Sequence, residues 1–300
     1  MTDTAAPTPA YDTPTSLSPS RVSSFTTCPM QFRFSSIDKL PEPPGRATTR
    51  GTIVHRALEL LFVRPPEQRT AAALDADLAT ALAEYRTHPD WVGLQLDADD
   101  AAAFDRECSR LVERYRTMED PTRVREIGIE LRMEAAVGNL TLRGIIDRLE
   151  LNADGELVVT DYKTGRAPSN NYEQKSLAGV HFYAFLCQQV LGRRPALIRL
   201  MYLSSGETIE TVPSEQSVRF ITTRTAAVWN AVERACVTGD FRPRTSRICD
   251  YCSFQRWCPA FGGDPTLALT EAPAAYTSLI NGGPADGAAP SDGRLVAIAG

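Results

Sequence analysis

The sequence predicts a mixed α/β fold in which a sheet is backed by helices. Three observations carry this: helical spacing of apolar residues up to about residue 119, a switch to two-residue alternation from Ile127 to Lys163, and a helix–strand–strand–helix run after Gly165. With 300 residues, 43% of them hydrophobic, the chain can bury one large core or two small ones. The expectation is one domain over residues 19–262, between disordered tails at 1–18 and 263–300.

Ser18 or Ser20 can cap a short helix running through Phe25 to Cys28, where Pro29 closes the turn. From Thr48 to Phe62, Ile53, Val54, Ala57, Leu58 and Leu61 recur at helical spacing, and Gly51 shares a face with His55. Residues 66–119 read as a polar, Ala-rich helical insertion of two helices, about 67–85 and 101–115, broken at His88-Pro89-Asp90. Ile127, Ile129, Leu131 and Met133 then alternate, Gly138-Asn139 turns the chain, and strands follow at 142–151 and 157–163 as an antiparallel meander. A long helix at about 172–191, strands near 196–203 and 208–212, and a helix over 213–238 complete the order.

No basic start with an apolar run marks a signal peptide, and no apolar run reaches membrane-spanning length, so the cytoplasm and no membrane partner are expected. A net charge of −5 argues against a protein that coats nucleic acid non-specifically, without excluding local basic patches. Cys249-x2-Cys252, Cys258 and the distant Cys28 point to a metal centre rather than disulfides. Cys108, Cys187 and Cys236 fall in helical stretches and read as small buried residues.

Alternation puts Asp161 and Lys163 on the face of Leu157 and Val159, while Asp147 shares a face with Ile145, Leu149 and Leu151. An antiparallel hairpin brings Asp147 beside Asp161. Two carboxylates on an otherwise buried face need a positive partner: Lys163 is one, and a Mg²⁺ or Mn²⁺ ion is the other. A metal, an activated water and a cation suffice for phosphodiester hydrolysis. The plainer readings are an exposed Asp161–Lys163 ion pair on an edge strand, and for His55 a hydrogen-bonded helix residue. Co-occurrence favours a site.

Taken in order, Gly51-Thr-Ile-Val-His55-Arg-Ala-Leu-Glu59, Gly144-Ile-Ile-Asp147-Arg148, Asp161-Tyr-Lys163-Thr-Gly165 and the four cysteines resemble a RecB-family exonuclease, over about residues 18–261. That family is the iron–sulfur branch of the PD-(D/E)XK nuclease superfamily, which includes CRISPR-associated adaptation nucleases and the nuclease domains of helicase–nuclease recombination complexes. The resemblance implies a restriction-endonuclease-like core, with Asp147, Asp161 and His55 as metal ligands and Lys163 as the catalytic lysine. It further implies that Cys28, Cys249, Cys252 and Cys258 hold a 4Fe–4S cluster, a staple joining the N-terminal segment to a cysteine segment at 240–262. Zinc is the alternative occupant, disfavoured because three clustered cysteines and one distant one do not make paired knuckles.

One departure concerns the branch's Gln-x-x-x-Tyr motif: Tyr183 matches, but Gly179 stands where Gln is usual. Glu130 ranks below the two aspartates, because alternation turns it away from the face of Ile127, Ile129 and Leu131. Tyr183, Arg242, Arg244 and Arg247 are candidate DNA contacts, the arginines reading equally well as a solvated basic loop; Tyr162, Tyr183 and Trp257 offer stacking surfaces, with core packing the plainer reading for the two tyrosines. The function implied is a metal-dependent DNA exonuclease acting on single-stranded ends in repair or recombination. The alternative is a non-catalytic Fe–S DNA-binding scaffold of the same fold. No Gly-x-x-x-x-Gly-Lys-Ser/Thr loop occurs, so unwinding would fall to a separate helicase.

Overall fold

The computed structural model describes residues 10–168 and 170–280. In chain order its main elements begin with β1 (Ser16–Leu17), α1 (Pro19–Thr27), α2 (Pro29–Phe32), α3 (Arg46–Val63), α4 (Ala71–Tyr85), α5 (Pro89–Val92) and α6 (Ala98–Met118). Then come β2 (Glu126–Val137), β3 (Leu140–Leu151), β4 (Leu157–Lys163), α7 (Asn170–Leu191), β5 (Leu197–Tyr202), β6 (Glu207–Thr211), α8 (Glu215–Thr238) and α9 (Ala268–Ile280).

The described residues fall into two compact units. The larger holds 44–133 and 144–218; the smaller gathers 10–43, 134–143 and 219–279.

In the larger unit, helix starts follow side-chain caps. Thr70 accepts from the Ala73 amide at 3.1 Å, and Asp97 accepts from the Asp100 amide at 2.8 Å. His88-Pro89-Asp90, expected as a break, instead opens α5, with His88 Nδ1 taking the Asp90 amide at 3.2 Å. The apolar stripe of α3 (Ile53, Val54, Ala57, Leu58, Leu61, Phe62) packs with Leu74 and Leu78 of α4 and with Phe104, Val112 and Tyr115 of α6. The insertion is therefore part of the core rather than an appendage.

The sheet runs β1-β3-β4-β5-β6, with β2 also on β3. The β3–β4 ladder is antiparallel, from Arg148 opposite Thr160 to Leu151 opposite Leu157. β4 and β5 are parallel, from Val158 opposite Leu197 to Lys163 opposite Tyr202. β4 is thus a central strand, and Leu157 through Tyr162 are all buried. The edge-strand reading of Asp161 and Lys163 fails for that reason.

In the smaller unit, the Ser18 side chain accepts from the Arg21 amide at 3.3 Å and starts α1. Both expected tails carry structure. Ser16 and Leu17 pair in parallel with Thr141 and Leu142, and the Tyr11 amide donates to the Cys236 carbonyl at 3.0 Å. At the other end α9 buries Ala268 and Ala272. Residues 1–9 and 281–300 lie outside the described residues. Among those described, no helix is long and apolar enough to cross a membrane.

Candidate active site

The larger unit brings His55, Glu130, Asp147, Asp161 and Lys163 together. His55 comes from the middle of α3, and a methyl group on Gly51, one turn earlier, would stand 3.2 Å from Thr164 Oγ1 just beyond β4. His55 Nε2 lies 3.0 Å from the Tyr162 carbonyl oxygen. A carbonyl only accepts, so Nε2 is the donor and Nδ1 faces the site. Nδ1 is 3.6 Å from Asp147 Oδ2 and 3.9 Å from Glu130 Oε1. His55, Glu130 and Asp147 each offer a ligand atom within 4.8 Å of the others.

Asp147 and Asp161 directly adjoin the Arg148–Thr160 pair that ends the β3–β4 ladder, close enough for Asp147 to repel Asp161. The Tyr162 amide donates to Asp147 Oδ2 at 2.7 Å. Lys163 Nζ lies 2.5 Å from Asp161 Oδ2, the carboxylate buried and the lysine half-exposed. Gly144 lets β3 pack closely against α7: a methyl group there would come within 2.8 Å of Leu186 and 3.2 Å of Tyr183. The apolar row expected around Asp147 is interrupted, because Ile145 is 44% exposed while Ile146 is buried.

Glu130 is the residue that alternation misplaces. Its φ is +45°, in the left-handed region, so the two-residue rhythm breaks at this position and its carboxylate joins His55 and Asp147. The signal available in the sequence was the acid itself, set within the apolar run from Ile127 to Met133.

Crowded carboxylates shape the protonation states. Burial raises Asp161, and repulsion from Asp147 adds to it, against the opposing pull of Lys163, leaving it at about 6. Burial likewise raises Asp147, helped by Glu130 and opposed by His55. For His55, burial opposes the charge, but the fields of Asp147 and Glu130 overcome it and lift the imidazole to about 9. Lys163 is held above its ordinary value, since Asp161 outweighs the cost of burial, so it is a fixed cation rather than a base. Tyr183 is raised by burial and by Asp161, Asp147 and Glu130, which sets its phenol within reach of their field.

The smaller unit holds the cysteine site. Cys28, Cys249, Cys252 and Cys258 are free thiols lining one cavity with Met30, Phe34 and Phe254. The Arg244 amide points at Cys28 Sγ (3.5 Å) and the Ser246 amide at Cys249 Sγ (3.3 Å). Burial, then mutual repulsion among the sulfurs, raises Cys252 and Cys258. Cys108, Cys187 and Cys236 are buried and free, as read from the sequence.

The candidate DNA contacts divide. Arg242 is exposed and pairs with Asp240 at 3.0 Å; Arg247 is exposed at the start of a short 3₁₀ turn. Arg244 donates to the Thr26 carbonyl at 2.6 Å and so ties two segments of its unit together. Trp257 and Tyr162 are buried, and the Trp257 indole donates to Glu271 at 2.8 Å, so neither is a stacking surface.

Comparison with known proteins agrees with this geometry. The chain is similar to the Gene 69 protein of Mycobacterium phage D29, 26% identical over 186 residues, 51% of this chain and 64% of that protein. The matched region thus spans a little under two thirds of the relative's length. In fold, it is similar to a protein from Eubacterium rectale assigned provisionally as an exonuclease, with a TM-score of 0.52 at 10% identity, covering 81% of this chain and 88% of that one. That likeness shows the fold alone. The model of the PD-(D/E)XK nuclease superfamily matches residues 16–259, which takes in both the carboxylate cluster and the cysteine segment, and the chain belongs to that superfamily.

Proposed function

We propose that this chain is a metal-dependent DNA exonuclease of the RecB-like, iron–sulfur branch, acting on single-stranded ends in cytoplasmic repair or recombination. One observation carries the reading: His55 Nδ1, Glu130 and Asp147 converge within 4.8 Å beside a buried Asp161 salt-bridged to Lys163.

The donor set fits a Mg²⁺ or Mn²⁺ ion, with carboxylate oxygens from Asp147, Glu130 and Asp161 and the Nδ1 of His55, once it gives up its proton, as its ligands. When bound, the ion supplies Lewis acidity toward a phosphate oxygen and acidifies water. Lys163, permanently charged, stabilises the negative charge that develops on the phosphorus centre. Asp161 keeps the ammonium beside it, and Tyr183 borders the cluster as a surface for the nucleotide. The four cysteines fit a 4Fe–4S cluster, supported by their shared cavity and by two backbone amides aimed at sulfur.

The test is cleavage of end-labelled single- and double-stranded DNA by anaerobically purified protein with Mn²⁺, Mg²⁺ or EDTA, beside Asp161→Ala. The expected outcome is metal-dependent release of short products from single-stranded ends, absent from the variant. Equal cleavage by Asp161→Ala sinks the assignment. No cleavage by a cluster-loaded protein that still binds DNA turns the reading to a non-catalytic scaffold.

A further inference from the structure

Arg148 follows Asp147 directly and has no part in the chemistry above, yet its side chain is fully enclosed. Glu119 takes two of its N–H groups, one of them at 2.9 Å, and Glu150 Oε2 lies 2.5 Å from its Nε. The guanidinium also sits 4.7 Å above the Phe62 ring and 3.4 Å from Thr160 Oγ1. A buried ion pair of this kind is poor evidence for stability, because an apolar side chain of similar volume fills the space without the desolvation cost. Another role is suggested by the fifth contact, the Tyr162 hydroxyl at 2.6 Å.

Tyr162 stands between Asp161 and Lys163, and its main chain meets the site twice. Its amide donates to Asp147 Oδ2 at 2.7 Å, and its carbonyl accepts from His55 Nε2 at 3.0 Å. Its ring packs edge-on against His55 at 6.0 Å and Tyr115 at 5.9 Å. Holding the phenol therefore fixes the peptide groups on both sides of Tyr162. Those groups aim the Asp147 carboxylate and hold the Nε2–H of the imidazole, so that Nδ1 is the nitrogen facing the carboxylates.

We propose that Arg148 is a positioning residue for the cation site, acting through the Tyr162 hydroxyl. The proposal rests on the metal-binding reading of that site. Residues that orient metal ligands typically change affinity about 10- to 100-fold when altered.

The experiment measures Mn²⁺ binding by calorimetry, without DNA, for the wild-type chain and for Tyr162→Phe, Arg148→Met and Phe104→Leu. Tyr162→Phe keeps the ring and removes only the hydroxyl. Phe104 belongs to the same buried core but pairs its ring with Trp91 at 5.0 Å rather than with Tyr162 or His55, and serves as a control for loss of packing. Tyr162→Phe and Arg148→Met are expected to weaken Mn²⁺ binding about 10-fold or more. Phe104→Leu is expected to lower the melting temperature at least as far, with Mn²⁺ affinity within about twofold of wild type. A second readout is the His55 tautomer by ¹⁵N NMR above pH 9: one Nε2–H form in the wild type, a mixture in Tyr162→Phe. Wild-type affinity in both site-side variants, or equal weakening in Phe104→Leu, overturns the positioning role. Wild-type protein that binds no Mn²⁺ overturns the metal reading and this inference with it.

Discussion

Metal affinity should climb steeply with pH, because the cation has to displace a proton. His55 stays charged up to about pH 9: burial works against the charge, but Asp147 and Glu130 outweigh it. At pH 7 the protonated form therefore exceeds the neutral one by about 100 to 1, a competition of about 3 kcal/mol against any ion that needs Nδ1. Mn²⁺ calorimetry between pH 6.5 and 9.5, in two buffers of different ionisation enthalpy, reads both consequences. Apparent affinity is expected to rise about tenfold per pH unit from 6.5 to 8.5 and to level off above 9. About one proton should be released per ion at pH 7, and almost none near pH 10. The metal-free protein should show the converse: the raised His55 pKa adds stability that is complete below 6.5 and lost as pH rises through about 9. Asp161, held at about 6 against a usual 3.8, contributes in the same sense at lower pH, a share complete below 3.8 and lost as pH rises through about 6. An affinity flat across this window with no proton release would refute the reasoning, since it would mean that Nδ1 is not a ligand or carries no proton to displace.

Two glycines make opposite predictions. A methyl group on Gly179 in α7 meets nothing within 4 Å, so Gly179→Gln should be tolerated, should add about 0.5–1 kcal/mol by removing a helix glycine, and should preserve or raise cleavage; collapse of cleavage in a stably folded variant would show that the match to the Gln-x-x-x-Tyr motif is out of register. A methyl group on Gly263 would come within 2.2 Å of the Arg256 carbonyl and 2.6 Å of the Trp257 carbonyl carbon, main-chain atoms that cannot step aside. Gly263→Ala should therefore lower the melting temperature and the visible absorbance of anaerobically purified protein together, and wild-type values for both would contradict the crowding seen next to Cys258.

Much of the architecture was legible because its signals are local. β4 matches its expected span residue for residue, a short apolar run between the Gly155 turn and Thr164-Gly165. The meander register that brings Asp147 close to Asp161 follows from a hairpin of fixed length. What escaped depends on distant partners. The parallel pairing of β4 with β5 makes β4 central, and no local pattern announces it. Arg148 looks like an outward polar residue until Glu119, 29 residues earlier, arrives to neutralise it. Glu130 was misjudged because one left-handed residue is enough to break an alternation argument. The tail expected after Phe261 rests on the Gly-, Pro-, Ala- and Asp-rich stretch from Asn281 to Gly287, which says nothing of α9 before it, where small side chains such as Ala268 and Ala272 allow close burial.

The smaller unit is assembled from three separate stretches, 10–43, 134–143 and 219–279, whereas almost all of the described part of the larger lies between residues 44 and 218. During synthesis Cys28 emerges early and must wait for Cys249, Cys252 and Cys258, more than two hundred residues later. Contacts of such sequence separation form slowly and leave apolar surface uncovered meanwhile. On a ribosome moving at roughly 5–20 residues per second, that interval lasts on the order of 10 to 45 seconds. The nascent N-terminal segment therefore holds Phe25, Phe32 and Phe34, all buried in the finished fold, until the last stretch of its unit has been made.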